Sequence, residues 1–165
     1  MSLIVCACYD TKENGRSKLT AQTLESLYKT VDFSRHQIIL VNNNSCEETK
    51  QLLDSFVYRV NDFISPDAAT AIHLPQNIGT AKAINLGWVR RQPGQHCVKI
   101  DNDVVIHSKG WADEMEEAIK LMPQIGIIGL KRKDLIESTD NPDEHWRSEL
   151  IQLPHEPGQR WVVIE

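Results

Sequence analysis

The stretch Cys97-Val98-Lys99-Ile100-Asp101-Asn102-Asp103-Val104-Val105-Ile106 decides how the rest of the chain is read. A short apolar run of strand character ends on Asp-Asn-Asp. Two carboxylates one residue apart, at the mouth of a buried strand, repel each other, and each ionised group loses hydration. A hard divalent cation offsets both effects, because Mg²⁺ and Mn²⁺ take carboxylate oxygens and keep positions free for phosphate. The pattern points to a metal site for a phosphate-bearing substrate, with Asp101 and Asp103 as ligands. It is not a calcium EF-hand loop, which needs Gly at its sixth position and Glu at its twelfth. Those positions hold Ile106 and Ala112.

Outward from this stretch, strand-length apolar runs alternate with segments of helical period. Leu3 to Cys8 reads as a first strand, and Leu24, Leu27, Tyr28 and Val31 mark a helix from about Lys18 to Lys29. Gln37 to Val41 is a second strand and Glu47 to Phe56 a second helix. Ala71 to Leu74 is a short third strand. Ala81, Ile84, Trp88 and Val89 mark a third helix, closed by Pro93-Gly94. His96 to Ile100 is the fourth strand. Ser108 is a candidate cap for a fourth helix whose inward face is Trp111, Met115, Ile119 and Met122. Ile125 to Leu130 reads as a fifth strand. Repeated β-α units imply a mostly parallel, Rossmann-like sheet with helices on both faces, and such sheets bind ligands beyond the carboxyl ends of their strands. Four polar clusters fall at those ends: Tyr9-Asp10, Asn42 to Ser45, Gln76 to Gly79, and Asp101 to Asp103.

The chain has 165 residues, enough for a single domain spanning 1–165. A net charge of -5 and the lack of a basic block argue against a nucleic-acid binder, whose affinity comes mainly from neutralising phosphates. No apolar run is long enough to cross a bilayer. The N-terminus opens directly on a strand pattern without a signal peptide. Cysteines stand at 6, 8, 46 and 97, with no Cys-x-x-Cys pair. Cys6 and Cys8 fall on one strand face and read as small core residues in a reducing, cytoplasmic setting. The six histidines show no ligand spacing. His107 lies nearest the D-x-D, and Trp88 and Trp111 read as core. No G-x-G-x-x-G, P-loop or G-x-S-x-G motif is present, which disfavours the dinucleotide, NTPase and serine hydrolase folds.

Four elements in order carry more than any one alone. They are Cys8-Tyr9-Asp10, then Val41-Asn42-Asn43-Asn44-Ser45, then Asn77-Ile78-Gly79-Thr80-Ala81-Lys82-Ala83-Ile84-Asn85-Leu86-Gly87, then Asp101-Asn102-Asp103 followed by Gly110-Trp111. This order and spacing resembles family 2 glycosyltransferases with the GT-A fold, over about residues 3 to 130. The resemblance implies transfer of a sugar from a nucleoside-diphosphate sugar to an acceptor hydroxyl, with Mn²⁺ or Mg²⁺ and with inversion at the anomeric carbon. It implies that Tyr9 and Asp10 line the nucleoside pocket. Asn42 stands where the family usually has Asp, on base or ribose, with Asn44 beside it. Asn77, Gly79 and Lys82 match the segment that approaches the nucleotide. Asp103, with Asn102 and Asp101, matches the D-x-D, Asp103 on the metal and Asp101 on ribose or metal-bound water.

Simpler readings stand beside these. Tyr9 could pack on a helix, Asn42 to Asn44 could only form turns, and Lys82 could be a solvated helix lysine. The family's catalytic base lies well downstream of the D-x-D, so it is expected beyond Glu165. The polar loop from Asp134 to Arg147 offers only Glu137, Asp140, Asp143 and Glu144 instead. Trp161 to Ile164 reads as a terminal strand lacking its pairing partner, so association into a homodimer or poor order there is expected. A nucleotidyltransferase is the rival enzyme reading, resting on Asn14-Gly15-Arg16-Ser17-Lys18. A non-catalytic nucleotide-sugar-binding module is the rival from another class.

Overall fold

In a computed structural model, the described residues are 1–129 and the two strands 149–152 and 161–164. The chain divides into two compact units, Met1–Asp113 and Glu114–Glu165. The first unit holds a four-stranded parallel sheet. Its strands are β1 (Ser2–Cys8), β2 (Gln37–Asn42), β3 (Ala69–His73) and β4 (His96–Asp101), in the order β3-β2-β1-β4. Between them run α1 (Ser17–Thr30), α2 (Glu47–Phe63) and α3 (Thr80–Trp88), and α4 (Trp111–Leu121) follows. This is the α/β, Rossmann-like architecture expected from the alternating periods.

The side-chain alternation of β1 divides the core. Leu3 and Val5 join Ile39 and Val41 of β2 against Ala83 and Ile84 of α3. Ile4, Cys6 and Cys8 point the opposite way, and the buried Leu24 and Leu27 of α1 and Leu53, Phe56 and Val60 of α2 supply the apolar stripes of the helices on that side. Phe56 meets both Phe33 and Tyr28 edge to face, at 5.9 and 6.4 Å between ring centroids. Gly87 lets α3 close on the sheet: a Cβ there would lie 2.6 Å from Val5 Cγ1. Trp111 is buried as expected, and its indole N–H finds no acceptor among the described residues.

Four expectations are corrected. The fourth strand is not buried: among the described residues β4 lies at the edge of the sheet, with Ile100 buried, Val98 half-buried and the rest exposed. Residues 125–129 form no strand, so the apolar residues there mark hydrophobicity without a ladder. Ser108 does not cap α4. Gly110 takes a left-handed turn (φ 73°), which delays the helix to Trp111. In the second unit, β6 (Trp161–Ile164) pairs antiparallel with β5 (Glu149–Gln152), from Glu149↔Ile164 to Gln152↔Trp161, so the terminal strand has its partner within the chain. The expected loop from Asp134 to Arg147, with its four carboxylates, and the turn from Pro154 to Gly158 lie outside the described residues.

Candidate functional site at the carboxyl edge of the sheet

Register brings distant residues into one row. Cys8 lies beside Asn42, Asn42 beside His73, and Ala7 beside Asp101. The carboxyl edge of the sheet therefore gathers the Tyr9-Asp10 segment, Asn42 to Asn44, and the Asp-Asn-Asp turn, as topology requires.

Asp10 is the hub of this edge. Its carboxylate is fully buried and accepts three hydrogen bonds, from Thr20 Oγ1 (2.6 Å), Thr49 Oγ1 (2.9 Å) and Asn102 Nδ2 (2.8 Å). Asn102 Nδ2 also reaches Thr20 Oγ1 at 2.7 Å. One carboxylate thus joins β1, α1, α2 and the turn after β4. A buried charge persists only when satisfied in this way. Asp10 was expected to line the nucleoside pocket. The structure instead places its carboxylate under the surface, where it sets the positions of neighbouring loops. Sequence reasoning missed Thr20 and Thr49. For Thr49 the available signal was a threonine on the otherwise apolar buried face of α2, whereas Thr20 lies on a buried face of α1 that is itself mostly Ser and Thr.

Asn102 inverts the reading of the D-x-D. The middle residue is buried and locked, while Asp101 and Asp103 are exposed on either side of it. Each outer carboxylate already has a cation. Lys99 Nζ donates to Asp101 Oδ2 at 2.7 Å, as their shared strand face allows. Arg16, at the start of α1, donates to Asp103 across 87 positions of sequence. These two cations, both missed as site residues, relieve the like-charge repulsion.

Asn42 is also committed. Ser45 N–H donates to its Oδ1 at 2.7 Å, which fixes the amide's orientation, and its Nδ2 then donates to His73 Nδ1 at 3.0 Å. His73 therefore carries its proton on Nε2 and donates to Asp54 Oδ1 at 2.8 Å. Ser45 Oγ in turn donates to Cys8 O at 3.0 Å and accepts from Asp10 N–H at 3.1 Å, joining the two strand ends. Asn43 Nδ2 donates to Asn77 Oδ1 and Asn43 Oδ1 accepts from Ile78 N–H, at 2.8 and 2.9 Å. Asn77 Oδ1 also accepts from Gly79 N–H, whose residue takes φ 84° and opens α3. Asn77 and Gly79 therefore act locally to place the α3 N-terminus at the edge. Lys82 is exposed and makes no ion pair with a described residue. Tyr9 is exposed at the end of β1, so its ring is not packed away as a core aromatic. Asn44 is exposed with φ 65°, a turn position as the simpler reading had it.

Among the described residues, no group of three or more His, Cys, Asp or Glu side chains could hold a metal by itself. The outer carboxylates supply hard oxygen donors, which suit Mn²⁺ or Mg²⁺ if phosphate and water complete the shell. His107 lines a groove of about 780 Å³ with α1 and the segment after the D-x-D. None of the predicted site residues lines that groove.

Solved structures with the same fold include TarS 1-349 from S. aureus. Its TM-score is 0.59 at 17% identity, over 80% of this chain and 39% of that one. A mannosyltransferase from Pyrobaculum calidifontis, in complex with GDP-Man and Mn²⁺, gives 0.60 at 15%, over 79% of this chain and 35% of that one. A second TarS structure gives 0.56 at 17%, covering 23% of that chain. At these identities the likeness is one of fold, and the chain spans well under half the length of each neighbour. Among curated proteins, none matches. The family model for glycosyl transferase family 2 matches residues 2–160, nearly the whole sequence. The parallel sheet, the polar carboxyl edge and this match lead to one conclusion: the chain belongs to glycosyl transferase family 2.

Proposed function

We propose that this chain binds a nucleoside-diphosphate sugar at the carboxyl edge of its sheet and serves transfer of the sugar to an acceptor hydroxyl, with inversion at the anomeric carbon. The observation that carries this reading is the division of the Asp-Asn-Asp turn. Asn102 is anchored to Asp10, so Asp101 and Asp103 are held outward on a rigid base. Pre-positioned carboxylates of that kind suit a divalent ion, Mn²⁺ or Mg²⁺, with Asp103 as direct ligand and Asp101 on ribose or metal-bound water. Bound there, the ion would supply positive charge to the leaving diphosphate. The neighbour in complex with GDP-Man and Mn²⁺ has the same fold, which supports the pairing of cation and donor in this chain.

The chain's own residues divide the remaining work. Tyr9, exposed beside the edge, offers a face on which a base stacks. Asn77 and Gly79 set the N-terminus of α3, whose first amides complement negative charge, and Lys82 on its first turn supplies an exposed ammonium that pairs with no described residue. The transfer forms a bond from the acceptor oxygen to C1 and breaks the bond from C1 to the diphosphate. We assign no base to that step from the described residues. The proposal extends to a cytoplasmic location, supported by four free cysteines in a chain without a described disulfide. No helix among the described residues is long and apolar enough to cross a membrane. A homodimer is not proposed, because the strand that motivated it is paired.

The test is thermal unfolding with UDP, GDP, CDP and dTDP, with and without Mn²⁺. A ligand that binds the native state raises the melting temperature by mass action. Asp103→Ala should remove the Mn²⁺-dependent part of that rise and leave the unliganded melting temperature within about 2 °C, as surface changes do. A rise that is indifferent to Mn²⁺ in both proteins would refute the site.

A further inference from the structure

The Arg16–Asp103 pair crosses from the start of α1 to the turn after β4, and nothing in the fold of either element requires it. The backbone at Arg16 is set locally. Asn14 Oδ1 accepts from Thr11 N–H at 2.9 Å and from Arg16 N–H at 3.1 Å, and Gly15 turns at φ 61°. From that fixed root the guanidinium reaches the carboxylate proposed as the direct metal ligand. The side chains of Arg16 and Asp103 are 41% and 40% exposed, so both have room to move, unlike the buried Asp10–Asn102 pair below them.

We propose that Arg16 is an exchange cation for the donor site. It holds Asp103 before the donor arrives, then passes its guanidinium to the donor's diphosphate as a divalent ion takes the carboxylate. This rests on the function proposed above. The charges support it. Asp101 and Asp103 are each matched by one cation, Lys99 and Arg16, so the two outer carboxylates are already neutralised. A divalent ion alone leaves a surplus of two positive charges, and a diphosphate alone leaves a negative surplus. Together they restore balance. Each ligand should therefore favour the other, a reciprocal coupling between two sites. Arg suits the exchange because its planar fork fits carboxylate and phosphate oxygens alike. Lys99 shares the charge role but is a point donor on the same strand as its partner.

The experiment is isothermal titration of the chain with Mn²⁺ alone, with GDP or UDP alone, and with each nucleotide in the presence of Mn²⁺. In Arg16→Gln, Mn²⁺ alone should bind roughly two- to fivefold more tightly, since an exposed ion pair no longer competes for Asp103. The nucleotide with Mn²⁺ should bind about tenfold more weakly, since a charge-assisted contact to phosphate is lost. A residue that only shaped the loop would not move these two affinities in opposite directions. Arg16→Lys should keep the metal-alone affinity near that of the parent and recover part of the nucleotide affinity. Its result stands if the glutamine variant folds poorly. Affinities that move together, or not at all, would overturn the exchange role. Asp103→Ala separates the two levels. If Mn²⁺ dependence survives it, the donor site itself is misread. If it is lost while Arg16→Gln shows no opposed shifts, only the role of Arg16 fails.

Discussion

Replacing Asn102 tests whether the middle of the D-x-D is the anchor of the site. Asn102→Ala removes the donor to Asp10 Oδ1 (2.8 Å) and to Thr20 Oγ1 (2.7 Å) in a buried pocket. Asp10 keeps its bonds from Thr20 and Thr49, both on Oδ2, while Oδ1 loses Asn102. Hydrogen bonds to a charged group contribute about 1.5–3 kcal/mol, and a buried acceptor left unsatisfied carries a desolvation cost of similar size. The expected loss is about 2–3 kcal/mol, or roughly 4–12 °C in melting temperature for a chain of this size. Asn102→Asp is sterically conservative but sets a second carboxylate against Asp10. It should destabilise more than alanine at neutral pH, because like charges in a sheltered site repel strongly. Urea denaturation at pH 7 reads both variants. An alanine variant within about 0.5 kcal/mol of the parent, or an aspartate variant as stable as the parent at pH 7, would refute the assignment of Asn102 as the anchor.

Gly87→Ala should destabilise by about 1–2 kcal/mol despite alanine's better helix propensity, because its Cβ would sit 2.6 and 2.8 Å from the two methyls of the buried Val5; Val5→Ala in the same chain should recover part of the loss in a thermal melt. Glu25 is held below its ordinary carboxylate range by hydrogen bonds from Arg59 and then Lys29. Its contribution is therefore present above the unfolded value near 4.3 and fades as pH falls through the lower folded value. Glu25→Gln should cost about 0.5 kcal/mol at pH 7, with the gap closing as pH falls below the unfolded value in parallel melts.

The fold was legible because its determinants are local. Continuous apolar runs at Leu3 to Cys8 and Ile38 to Val41, as buried parallel strands require, and helical spacing at Leu24, Leu27 and Tyr28 are read within short windows. The errors arose where one window admits two outcomes. Ile125 to Gly129 is apolar enough for a strand, but a strand exists only through a partner's ladder. Ser108 looks like a cap until the left-handed Gly110 moves the helix start. The edge position of β4 among the described strands could not be read either, since an edge strand and a central strand differ in what lies beside them and not in their own residues.

The site was legible in place but not in wiring. Topology brings strand ends together, so a polar residue after an apolar run predicts an edge position without any knowledge of contacts. Partnerships are another matter. Asn102 meets Asp10 across 92 positions and Arg16 meets Asp103 across 87, and no periodicity links residues so far apart. The motif letters were therefore read symmetrically, as two ligands around a spacer. The structure separates them by burial: the spacer is the most constrained of the three, and the two acids are the most free. That separation has a physical logic. A carboxylate that must hold a cation in water needs exposure and a fixed backbone. In this chain the backbone after β4 is fixed by a neutral amide against a buried charge, which leaves both outer carboxylates available for exchange between the chain's own cations and a ligand's.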